Sequence, residues 1–494
     1  MATTAKDLSP AAQSAKRYPI YLGGEWVESN DLLPVTNPYD GSVIGVTFSA
    51  TAEQVELATQ KAVEAQHAMN RLGVFERVAI LESIANQMAA RRDEVARMIA
   101  LEAGKPIRDA EVETDRGIFT IRTAAEEAKR IEGEVMQLDL LASSKGRMGI
   151  VKRFGVGPVA GISPFNFPLN LALHKVAPAI AAGCSIVLKP PSADPLTMLL
   201  VAEMIDNTAL PKGAVSVLPM NREEGNKLVE DDRFKLLSFT GSPDVGWDMK
   251  SRAGRKKVVL ELGGNAGVLV DDDADIDFAV ARARIGAFAY AGQVCISVQR
   301  IFVHENVYER FRDGFVKATE AIVIGDPLDR ATDLGPMIDD KAAGRTKAWI
   351  EDAVKQGARV LTGGEGEGRF FRPTVLENTH PACNACSKEA FAPMVSLFPV
   401  KSFGEGINRI NDSVFGLQAG IFTNSIEKAL TAWENIEAGG VVINDIPTYR
   451  IDHMPYGGVK DSGLGREGLK YAIEDMTEPR LMVINRLESQ KVTL

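Results

Sequence analysis

Residues 157–189 read GPVAGISPFNFPLNLALHKVAPAIAAGCSIVLK. The two ends of this stretch, 157–163 and 185–189, are short apolar segments that predict strands, and residues 173–182 between them suit a helix. The same pattern continues with a predicted helix at 198–208 and predicted strands at 215–218, 235–239 and 257–261. Strands that alternate with helices predict a parallel sheet of βαβ units, an architecture that binds nucleotides at the carboxyl edge of its strands.

The sequence on either side of this stretch completes a prediction of two α/β lobes. A second alternation of strands and helices, from residue 266 to about 444, predicts another sheet and a cleft between the two. The opening third of the chain is rich in helical patterns, and Thr51 and Gln54 have the spacing of a capping box. Long helices are predicted at 75–99 and 109–131.

The composition excludes several classes of protein. The chain has 494 residues, of which 45% are hydrophobic and 25% charged, as in an ordinary globular protein. Its formal net charge of −10 argues against a nucleic-acid-binding role. The longest uncharged apolar stretch, 176–188, is shorter than the roughly 20 residues that span a bilayer, so no membrane partner is expected. Residues 1–17 lack the apolar core of a secretory signal and predict a loose tail on a cytoplasmic protein.

Several motifs carry little functional signal. Four cysteines are too few for a disulfide scaffold in a chain of this length. Cys383 and Cys386 form a lone CxxC pair without the further ligands that zinc needs, so two ordinary loop thiols are expected and no metal. Residues 463–468, GLGREG, match a dinucleotide-binding glycine pattern, but no apolar strand precedes them. His174 lies on an apolar helix and is expected to be structural.

Four features suit an active site, although each also has an ordinary structural interpretation. The turn GSPDVG at 241–246 follows a predicted strand and begins a helix, so its N–H groups suit a pyrophosphate. Glu261 lies at the carboxyl end of a strand, where burial would raise its pKa and make it a general base. Cys295 lies in a small-residue segment beside a predicted helix start, which suits a nucleophilic thiol. Asn166 lies between two prolines, a rigid mounting for an oxyanion donor.

Seven short motifs together make the sequence resemble the aldehyde dehydrogenase superfamily. In chain order they are SPFNFP at 163–168, VLKP at 187–190, FTGS at 239–242, ELGG at 261–264, GQVC at 292–295, EAFAP at 389–393 and PYGGVKDSG at 455–463. The resemblance runs from about residue 18 to the end. Within the superfamily, the chain is most similar to the branch that acts on lactaldehyde, succinate semialdehyde and, without phosphorylation, glyceraldehyde 3-phosphate.

The resemblance implies an α/β fold of two Rossmann-type lobes with parallel sheets and a small β oligomerisation element. The dinucleotide-binding domain would comprise residues 18–132 and 155–262, the catalytic domain residues 263–470, and the bridging element residues 133–154 and 471–494. This element would build a homodimer or homotetramer by extending a sheet. The apolar alternation at 481–485 suits an edge strand that needs a partner.

The resemblance also implies an enzyme that oxidises an aldehyde to its carboxylic acid with NAD or NADP. Cys295 matches the nucleophile, which would form a thiohemiacetal and then a thioester. The side-chain amide of Asn166 and the backbone N–H of Cys295 would hold the oxyanion, and Glu261 matches the base that activates water. Relatives that transfer the acyl group to coenzyme A generally lack this glutamate, so its presence favours hydrolysis. The residues that match cofactor contacts are Ile162, Lys189, Ser192, Gly241, Ser242, Leu262, Glu389 and Phe391.

Three residues bear on specificity. Ser192 stands where many NAD-preferring relatives have a glutamate that binds the ribose hydroxyls, and the absence of that charge permits NADP as well as NAD. Arg116 and Arg450 resemble arginines of relatives that handle small, polar or anionic aldehydes, because a guanidinium fork fits a carboxylate, sulfonate or phosphonate. The alternative for both arginines is a surface or interface charge.

Two other functions remain open from the sequence. A cysteine-dependent hydrolase or acyltransferase would need a histidine within hydrogen-bond reach of Cys295, and it leaves the turn at 241–246 unexplained. A non-catalytic α/β protein with a decayed site would not be expected to retain Cys295, Glu261 and Asn166 together.

Overall fold

The parallel sheet predicted between residues 157 and 261 is the centre of the first lobe. The computed structural model describes residues 8–486, and within them this sheet has eight strands. In spatial order they are Glu25–Val27, Ile20–Leu22, Val215–Val217, Ile186–Lys189, Val159–Ile162, Leu236–Thr240, Lys257–Glu261 and Gly463–Leu464. The five central strands are parallel, and the strands added at either end are antiparallel. All five strands predicted in this region are therefore confirmed.

The order of these strands creates a crevice beside Val159–Ile162. From this strand the chain adds Ile186–Lys189 and Val215–Val217 on one side, and then returns to add Leu236–Thr240 and Lys257–Glu261 on the other. Ligands bind where the strand order reverses in this way, outside the carboxyl ends of the strands. The motifs at 163–168 and 241–246 directly follow the two strands that flank the reversal, so both lie at the crevice.

The second lobe is built on a seven-stranded sheet among the described residues. Its strands, in spatial order, are Arg359–Thr362, Thr374–Glu377, Met394–Val400, Val298–His304, Ala266–Val270, Gln418–Phe422 and Gly440–Ile443. All neighbours are parallel except Arg359–Thr362 and its partner, which confirms the predicted α/β fold class with two parallel sheets.

A third sheet is antiparallel and lies outside both lobes. Its order is Thr477–Asn485, Arg147–Gly155 and Glu134–Gln137. Short antiparallel pairs join Leu32–Thr36 to Val43–Phe48, Gly366–Glu367 to Phe370–Phe371, and Phe415–Gly416 to Val459–Lys460. The domain boundaries given above stay a prediction, and residues 487–494 of the predicted bridging element lie outside the described residues.

The helices cover the two larger sheets. Those before the second sheet are Pro10–Ser14, Ala52–Met69, Val74–Ala90, Arg92–Ala103, Ile107–Ala128, Asn170–Ala182, Leu196–Asp206, Arg222–Glu230 and Pro243–Arg252. Those that follow are Ile276–Phe288, Tyr308–Glu320, Asp340–Lys355, Asn384–Ser387, Phe403–Asn411, Ile426–Asn435 and Leu469–Asp475. Every residue of Asn170–Ala182 is buried, which carries His174 and Lys175 into the interior. No helix of residues 8–486 is long and apolar enough to cross a membrane.

Two sequence predictions need correction. The helix predicted at 75–99 is two helices, Val74–Ala90 and Arg92–Ala103, because Arg91 leaves the helical conformation. Both helices pack on Ile107–Ala128 and Leu196–Asp206. Apolar periodicity continues through such a break, so the pattern does not reveal it. The predicted loose tail is ordered from Leu8 onward.

The cause of this order is a short helix at the end of the predicted tail. Ser9 caps the helix Pro10–Ser14, and the apolar side chains of Leu8 and Ala12 are buried in the first lobe. Residues 1–7 lie outside the described part of the chain. By contrast, the capping box predicted at Thr51 and Gln54 is confirmed.

Candidate active site

One cavity of about 410 Å³ lies between the two lobes at the crevice. Its lining includes eight of the residues singled out from the sequence: Asn166, Gly241, Ser242, Glu261, Leu262, Cys295, Glu389 and Phe391. The five that do not line it are Ile162, Lys189, Ser192, Arg116 and Arg450. The cavity therefore combines a thiol, a carboxylate and a side-chain amide from three distant parts of the chain.

A tight turn presents Cys295 to this cavity. Tyr290 and Ala291 adopt positive φ angles of 47° and 52°, a conformation that is uncommon for residues other than glycine. Gly292 follows, and a Cβ atom there would lie 2.1 Å from the carbonyl oxygen of Ala392, so only glycine fits. Burial raises the pKa of the Cys295 thiol to about 12, while a hydrogen bond with Tyr456 acts in the opposite direction.

Glu261 ends the strand Lys257–Glu261 and lies in the same cavity. Both of its carboxylate oxygens are buried, and neither has a hydrogen-bond partner among the described residues. Burial raises the pKa of this carboxyl well above its ordinary value, and the nearby Glu467 adds to the effect. A carboxyl in this environment binds a proton readily, as a general base must.

A buried lysine and its ion-pair partner hold the backbone at Asn166 and in the segment that follows. Lys105 donates to the backbone carbonyl of Asn166 at 2.7 Å and forms an ion pair with Glu113. Glu113 in turn accepts hydrogen bonds from the backbone N–H groups of Leu169 and Asn170. The side-chain oxygen of Asn166 is buried without a partner among the described residues, and its amide belongs to the cavity lining.

We call Gly241, Ser242, Gly263 and Glu389 the nucleotide wall of the cavity. Ser242 is the N-cap of Pro243–Arg252, yet its side chain makes no capping bond, so the first N–H groups of this helix remain open to an anion. A Cβ atom at Gly263 would lie 2.4 Å from Oε2 of Glu389, so the glycine leaves room for this carboxylate. Oε1 of Glu389 accepts from the N–H of Gly264 at 3.0 Å, and burial raises the pKa of Glu389 to about 7.

Lys189, Ser192 and Ile162 lie farther along the same sheet edge. Ile162 and Lys189 are the last residues of neighbouring parallel strands. Burial lowers the pKa of Lys189 to about 8, and its side chain passes Gly225, where a Cβ atom would approach it to 3.1 Å. Ser192 is exposed, and its hydroxyl lies 3.4 Å from the carbonyl oxygen of Met220.

We call Cys295, Tyr456, Arg450 and Glu467 the thiol wall. The hydroxyl of Tyr456 lies 3.1 Å from the sulfur of Cys295, and the guanidinium carbon of Arg450 lies 3.7 Å from the centre of the tyrosine ring. Arg450 donates to Glu467 at 2.9 Å. Burial alone would raise the pKa of Glu467, but Lys175, His174 and Arg450 lower it to about 2.

Asp452 joins this wall to Arg116 and His174. It accepts two hydrogen bonds from Arg116, at 2.7 and 3.1 Å, and lies 2.9 Å from Nε2 of His174. The side chain of Arg450 is 6% exposed and that of Arg116 is 25% exposed, so neither is an ordinary surface charge. His174 is buried beside these groups, and burial lowers its pKa, which agrees with a structural role.

Sequence reasoning missed Lys105, Lys175, Tyr456 and Glu467. Lys105 lies in the segment GKP at 104–106, whose sequence predicts only the end of a helix, and Tyr456 lies within the motif at 455–463. The one available signal was Lys175. It lies in the apolar segment that forms the helix Asn170–Ala182, and a charge buried there needs a partner. Its partner Glu467 lies 292 residues away and has no comparable signal.

Cys383 and Cys386 lie outside the cavity lining and are buried free thiols. They differ from the expected loop thiols in one respect, since Cys383 is the N-cap of the helical turn Asn384–Ser387 that contains Cys386. Across residues 8–486, no group of three or more His, Cys, Asp or Glu side chains is arranged to hold a metal ion.

Comparison with known proteins identifies the family. The sequence model of the aldehyde dehydrogenase family matches residues 26–482. A 3-sulfolactaldehyde dehydrogenase from Priestia aryabhattai is 43% identical over 471 residues, which cover 95% of this chain and 98% of that protein. A lactaldehyde dehydrogenase from Methanococcus aeolicus is 38% identical over 472 residues, which cover 94% of this chain and 100% of that protein.

Solved structures agree with these matches. Aldehyde dehydrogenase 21 from Physcomitrella patens, in complex with the reaction product succinate, superposes with a TM-score of 0.94 at 45% identity, over 96% of this chain and 100% of that one. A glyceraldehyde-3-phosphate dehydrogenase from Methanocaldococcus jannaschii, in complex with NADP, has a TM-score of 0.88 at 39% identity, over 92% and 99%. The resemblance carried by the seven motifs is thereby confirmed, and the chain belongs to the aldehyde dehydrogenase family.

Proposed function

We propose that this aldehyde dehydrogenase oxidises a short aldehyde bearing an anionic or hydroxyl group to its carboxylic acid, with NAD or NADP as the electron acceptor. The observation that carries the proposal is that Cys295, Glu261 and Asn166 line one cavity beside the crevice of a nucleotide-binding sheet. A thiol, a base and an amide donor are the groups that acyl chemistry through a thioester requires.

In this mechanism Cys295 attacks the aldehyde carbon and forms a thiohemiacetal. The side-chain amide of Asn166 and the backbone N–H of Cys295 donate to the oxygen on which negative charge develops. Oxidation leaves a thioester on Cys295. Glu261 then takes a proton from water as the water attacks this thioester, and the acid departs while the sulfur is restored.

The residues along the sheet edge fit a dinucleotide. The open helix N-terminus at Ser242 suits the pyrophosphate, Lys189 and Ser192 suit the adenine ribose, and Glu389 with Phe391 suits the nicotinamide ribose. When bound, the nicotinamide accepts two electrons and the hydrogen from the carbon under oxidation. Because Ser192 carries no charge, this edge of the site does not repel a 2′-phosphate, which favours acceptance of both cofactors.

Arg450 and Arg116 are the candidates for recognition of the substrate's polar end. The Nε atom of Arg450 is buried and makes no hydrogen bond among the described residues, although Oδ1 of Asp452 lies 3.9 Å away, so this N–H is free to donate to an acceptor. Arg116 directs one edge of its guanidinium to Asp452. The names of the relatives point to the same chemistry, since sulfolactaldehyde and succinate carry an anionic group and lactaldehyde carries a hydroxyl.

A cysteine hydrolase is supported less well by the contacts of the thiol. Such an enzyme pairs its cysteine with a histidine. Among the described residues, the side chain that hydrogen-bonds the sulfur of Cys295 is Tyr456, and the ring nitrogen Nε2 of His174 is engaged by Asp452 and Arg450.

We also propose a cytoplasmic homodimer or homotetramer. Cys295 and the three other cysteines are all free thiols, which suits a reducing compartment. The strand Thr477–Asn485 is the edge of the third sheet, and eight of its nine residues are exposed, including Leu481, Met482 and Val483. An exposed apolar edge strand favours pairing with another subunit.

The test measures reduction of NAD and of NADP with matched aldehydes of equal chain length that end in a carboxylate, a sulfonate, a hydroxyl or a methyl group. We expect kcat/KM to be highest for an anionic or hydroxyl-bearing aldehyde, and Arg450→Met to remove that preference. Oxidation of the methyl-ended aldehyde should slow less, because for this substrate the variant loses only the contact of Arg450 with the ring of Tyr456. Cys295→Ala should abolish oxidation of every member of the set. Oxidation by Cys295→Ala, or no reduction of NAD or NADP with any aldehyde of the set, would contradict the proposal.

A further inference from the structure

The sulfur of Cys295 has a neighbour that the mechanism above does not use. The hydroxyl oxygen of Tyr456 lies 3.1 Å from the sulfur, within hydrogen-bond distance. The two residues are 161 positions apart, so the contact exists only in the folded chain. Tyr456 is 3% exposed and belongs, with Tyr290 and Val294, to an apolar cluster against which Cys295 packs.

The position of the Tyr456 hydroxyl is fixed from two sides. Its backbone forms an isolated bridge with Glu467, through N–H···O bonds of 3.0 and 2.6 Å. The face of its ring is covered by the guanidinium of Arg450, at 3.7 Å from the ring centre, and the same Glu467 holds Arg450 at 2.9 Å. Glu467 therefore anchors both the tyrosine backbone and the cation on its ring, so the phenol has little freedom to turn away from the sulfur.

We propose that Tyr456 is a catalytic residue that donates its phenolic hydrogen bond to the sulfur of Cys295, and that this bond stabilises the thiolate both when it attacks the aldehyde and when it leaves the thioester. This inference rests on the proposed role of Cys295 as the nucleophile. It adds to that role a donor that acts on the sulfur itself, whereas Asn166 acts on the carbonyl oxygen.

The charges around the sulfur show why such a donor matters. Burial raises the pKa of Cys295, and the carboxylates of Glu389 and Glu261 raise it further. The hydrogen bond from Tyr456 and the positive charge of Arg450 act in the opposite direction and lower the pKa of Cys295. Burial and the neighbouring thiol hold the pKa of Tyr456 well above its ordinary value, so its phenol keeps the proton that it donates.

Each step balances without a proton transfer from Tyr456. In the attack, the thiol proton passes to water in the cavity, a sulfur lone pair forms the C–S bond, and the carbonyl π pair moves to oxygen. In the release of product, water adds to the thioester as Glu261 takes its proton, and the C–S bond breaks with its electron pair returning to sulfur. The phenol O–H bond stays intact, and its hydrogen bond is strongest at the two points where sulfur carries negative charge.

The experiment measures the alkylation of Cys295 by iodoacetamide in the full-length protein without cofactor, followed by mass spectrometry of the peptide that contains Cys295. Tyr456→Phe keeps the ring and its contact with Arg450 and removes only the hydroxyl. We expect its alkylation rate between pH 7 and 9 to fall about tenfold or more, because a hydrogen bond to a charged group corresponds to roughly one to two units of pKa. Hydrolysis of the thioester should slow as well, measured as the steady-state rate after the first turnover.

Tyr308→Phe is the matched control. Tyr308 is a buried tyrosine of the second lobe, and its hydroxyl donates to Oε1 of Glu377 at 2.8 Å rather than to sulfur. The alkylation rate of Cys295 in this variant should stay within about twofold of wild type, since a phenol bonded elsewhere does not reach the thiolate. An equal fall in both variants would mean that loss of any buried phenol hydroxyl slows alkylation, and the proposal would be overturned.

A second variant covers the case in which Tyr456→Phe does not fold. Site-specific replacement of Tyr456 by 3-fluorotyrosine makes the phenol a stronger donor at nearly the same size, so alkylation should become faster. An unchanged rate in a folded Tyr456→Phe protein, or in the fluorotyrosine protein, would overturn the role of Tyr456. Aldehyde oxidation by Cys295→Ala would instead overturn the proposed function, so the two failures are distinguishable.

Discussion

The nucleotide wall lines the cavity along its whole length, whereas the thiol wall reaches the cavity through Cys295 and continues into the protein behind it, and the two depend on different kinds of contact. In the nucleotide wall the decisive features belong to the backbone: an open helix N-terminus at Ser242, and at Gly263 the lack of a side chain, which makes room for Glu389. The thiol wall is a series of side chains in which Glu467 holds Arg450, Arg450 covers Tyr456, and Tyr456 reaches Cys295. Damage to the first wall should therefore stay local, whereas damage to the second should spread to every member.

Glu261 connects the two walls, and its replacement should have the largest effect on rate. Its backbone oxygen accepts from the N–H of Gly241 at 3.0 Å, while its carboxyl responds to the charges of Glu467 and Arg450. We expect Glu261→Gln to retain a first-turnover burst of reduced cofactor and to lower the steady-state rate about a hundredfold or more, because the base that activates water is lost. Stopped-flow absorbance measures both phases.

The matched control is Glu377→Gln, since Glu377 is a buried glutamate outside the cavity lining, bonded to Tyr308. Its burst and its steady-state rate should both resemble those of wild type. Equal steady-state rates in Glu261→Gln and wild type would contradict the role assigned to Glu261.

Breaking the thiol wall at Glu467 should have the next largest effect, this time on stability. Glu467→Gln leaves Arg450 and Lys175 buried with less negative charge beside them, and loss of one partner of a buried pair costs about 3–5 kcal/mol of unfolding free energy. Chemical denaturation measures this loss. Glu437→Gln, which removes an exposed partner of Lys460, should change the unfolding free energy little.

The same variant has a defined pH dependence. The pKa of Glu467 falls from an ordinary 4.5 to about 2 in the folded protein, so its contribution to stability is complete above pH 4.5 and is lost as the pH falls toward 2. The difference in unfolding free energy between wild type and Glu467→Gln should thus be constant from pH 5 to 8 and shrink in acid. A difference that grows in acid would refute the assignment of a charged Glu467.

A single methyl group should disturb the nucleotide wall without slowing the reaction of the thiol. In Gly263→Ala, the added Cβ would meet Oε2 of Glu389 at 2.4 Å and displace it from the N–H of Gly264. We expect the KM for the cofactor to rise about tenfold, since small misplacements of positioning groups are costly. The alkylation rate of Cys295 should not fall, because the Glu389 carboxylate that is displaced is one of the groups that raise the pKa of the thiol. Gly404→Ala is the control, because its Cβ would meet no atom within 4 Å.

The smallest effect should come from a charge at the rim of the nucleotide site. Ser192→Glu places a carboxylate where the adenine ribose is proposed to bind, so the KM for NADP should rise several-fold to about tenfold through repulsion of the 2′-phosphate, with little change for NAD. Ser192→Gln adds similar length without charge and should leave the ratio of the two KM values near that of wild type. Equal changes in the KM values for NAD and NADP would show that Ser192 does not lie beside the 2′-phosphate.

Much of the fold was predictable because its signals are local. The five strands between residues 157 and 261 and the capping box at Thr51 each occupy a short window, and the structure confirms them. The break at Arg91 was not predictable, because apolar spacing continues through it and the direction of the second helix depends on what it packs against.

The candidate site also contains residues that the sequence predicted and contacts that it did not. Asn166, Glu261 and Cys295 follow from motifs, and the structure brings them to one cavity, while their roles stay predictions. Lys105 supports Asn166 from a turn that looks like a plain helix stop, and nothing in its own neighbourhood indicates the partner. The arginines were predicted as substrate contacts, but their ion pairs with Asp452 and Glu467 were not foreseen.

By itself, the sequence determined the family and the two parallel sheets and indicated the candidate reactive groups, because alternating patterns and contiguous motifs encode backbone geometry over a few residues at a time. Only the tertiary structure decided which charges are buried together and which hydroxyl meets the thiol, as in the contact between Tyr456 and Cys295 across 161 positions. The physical reason is that hydrogen bonds and pKa values depend on distance and on exclusion of water, and both are set by packing between elements far apart in the chain.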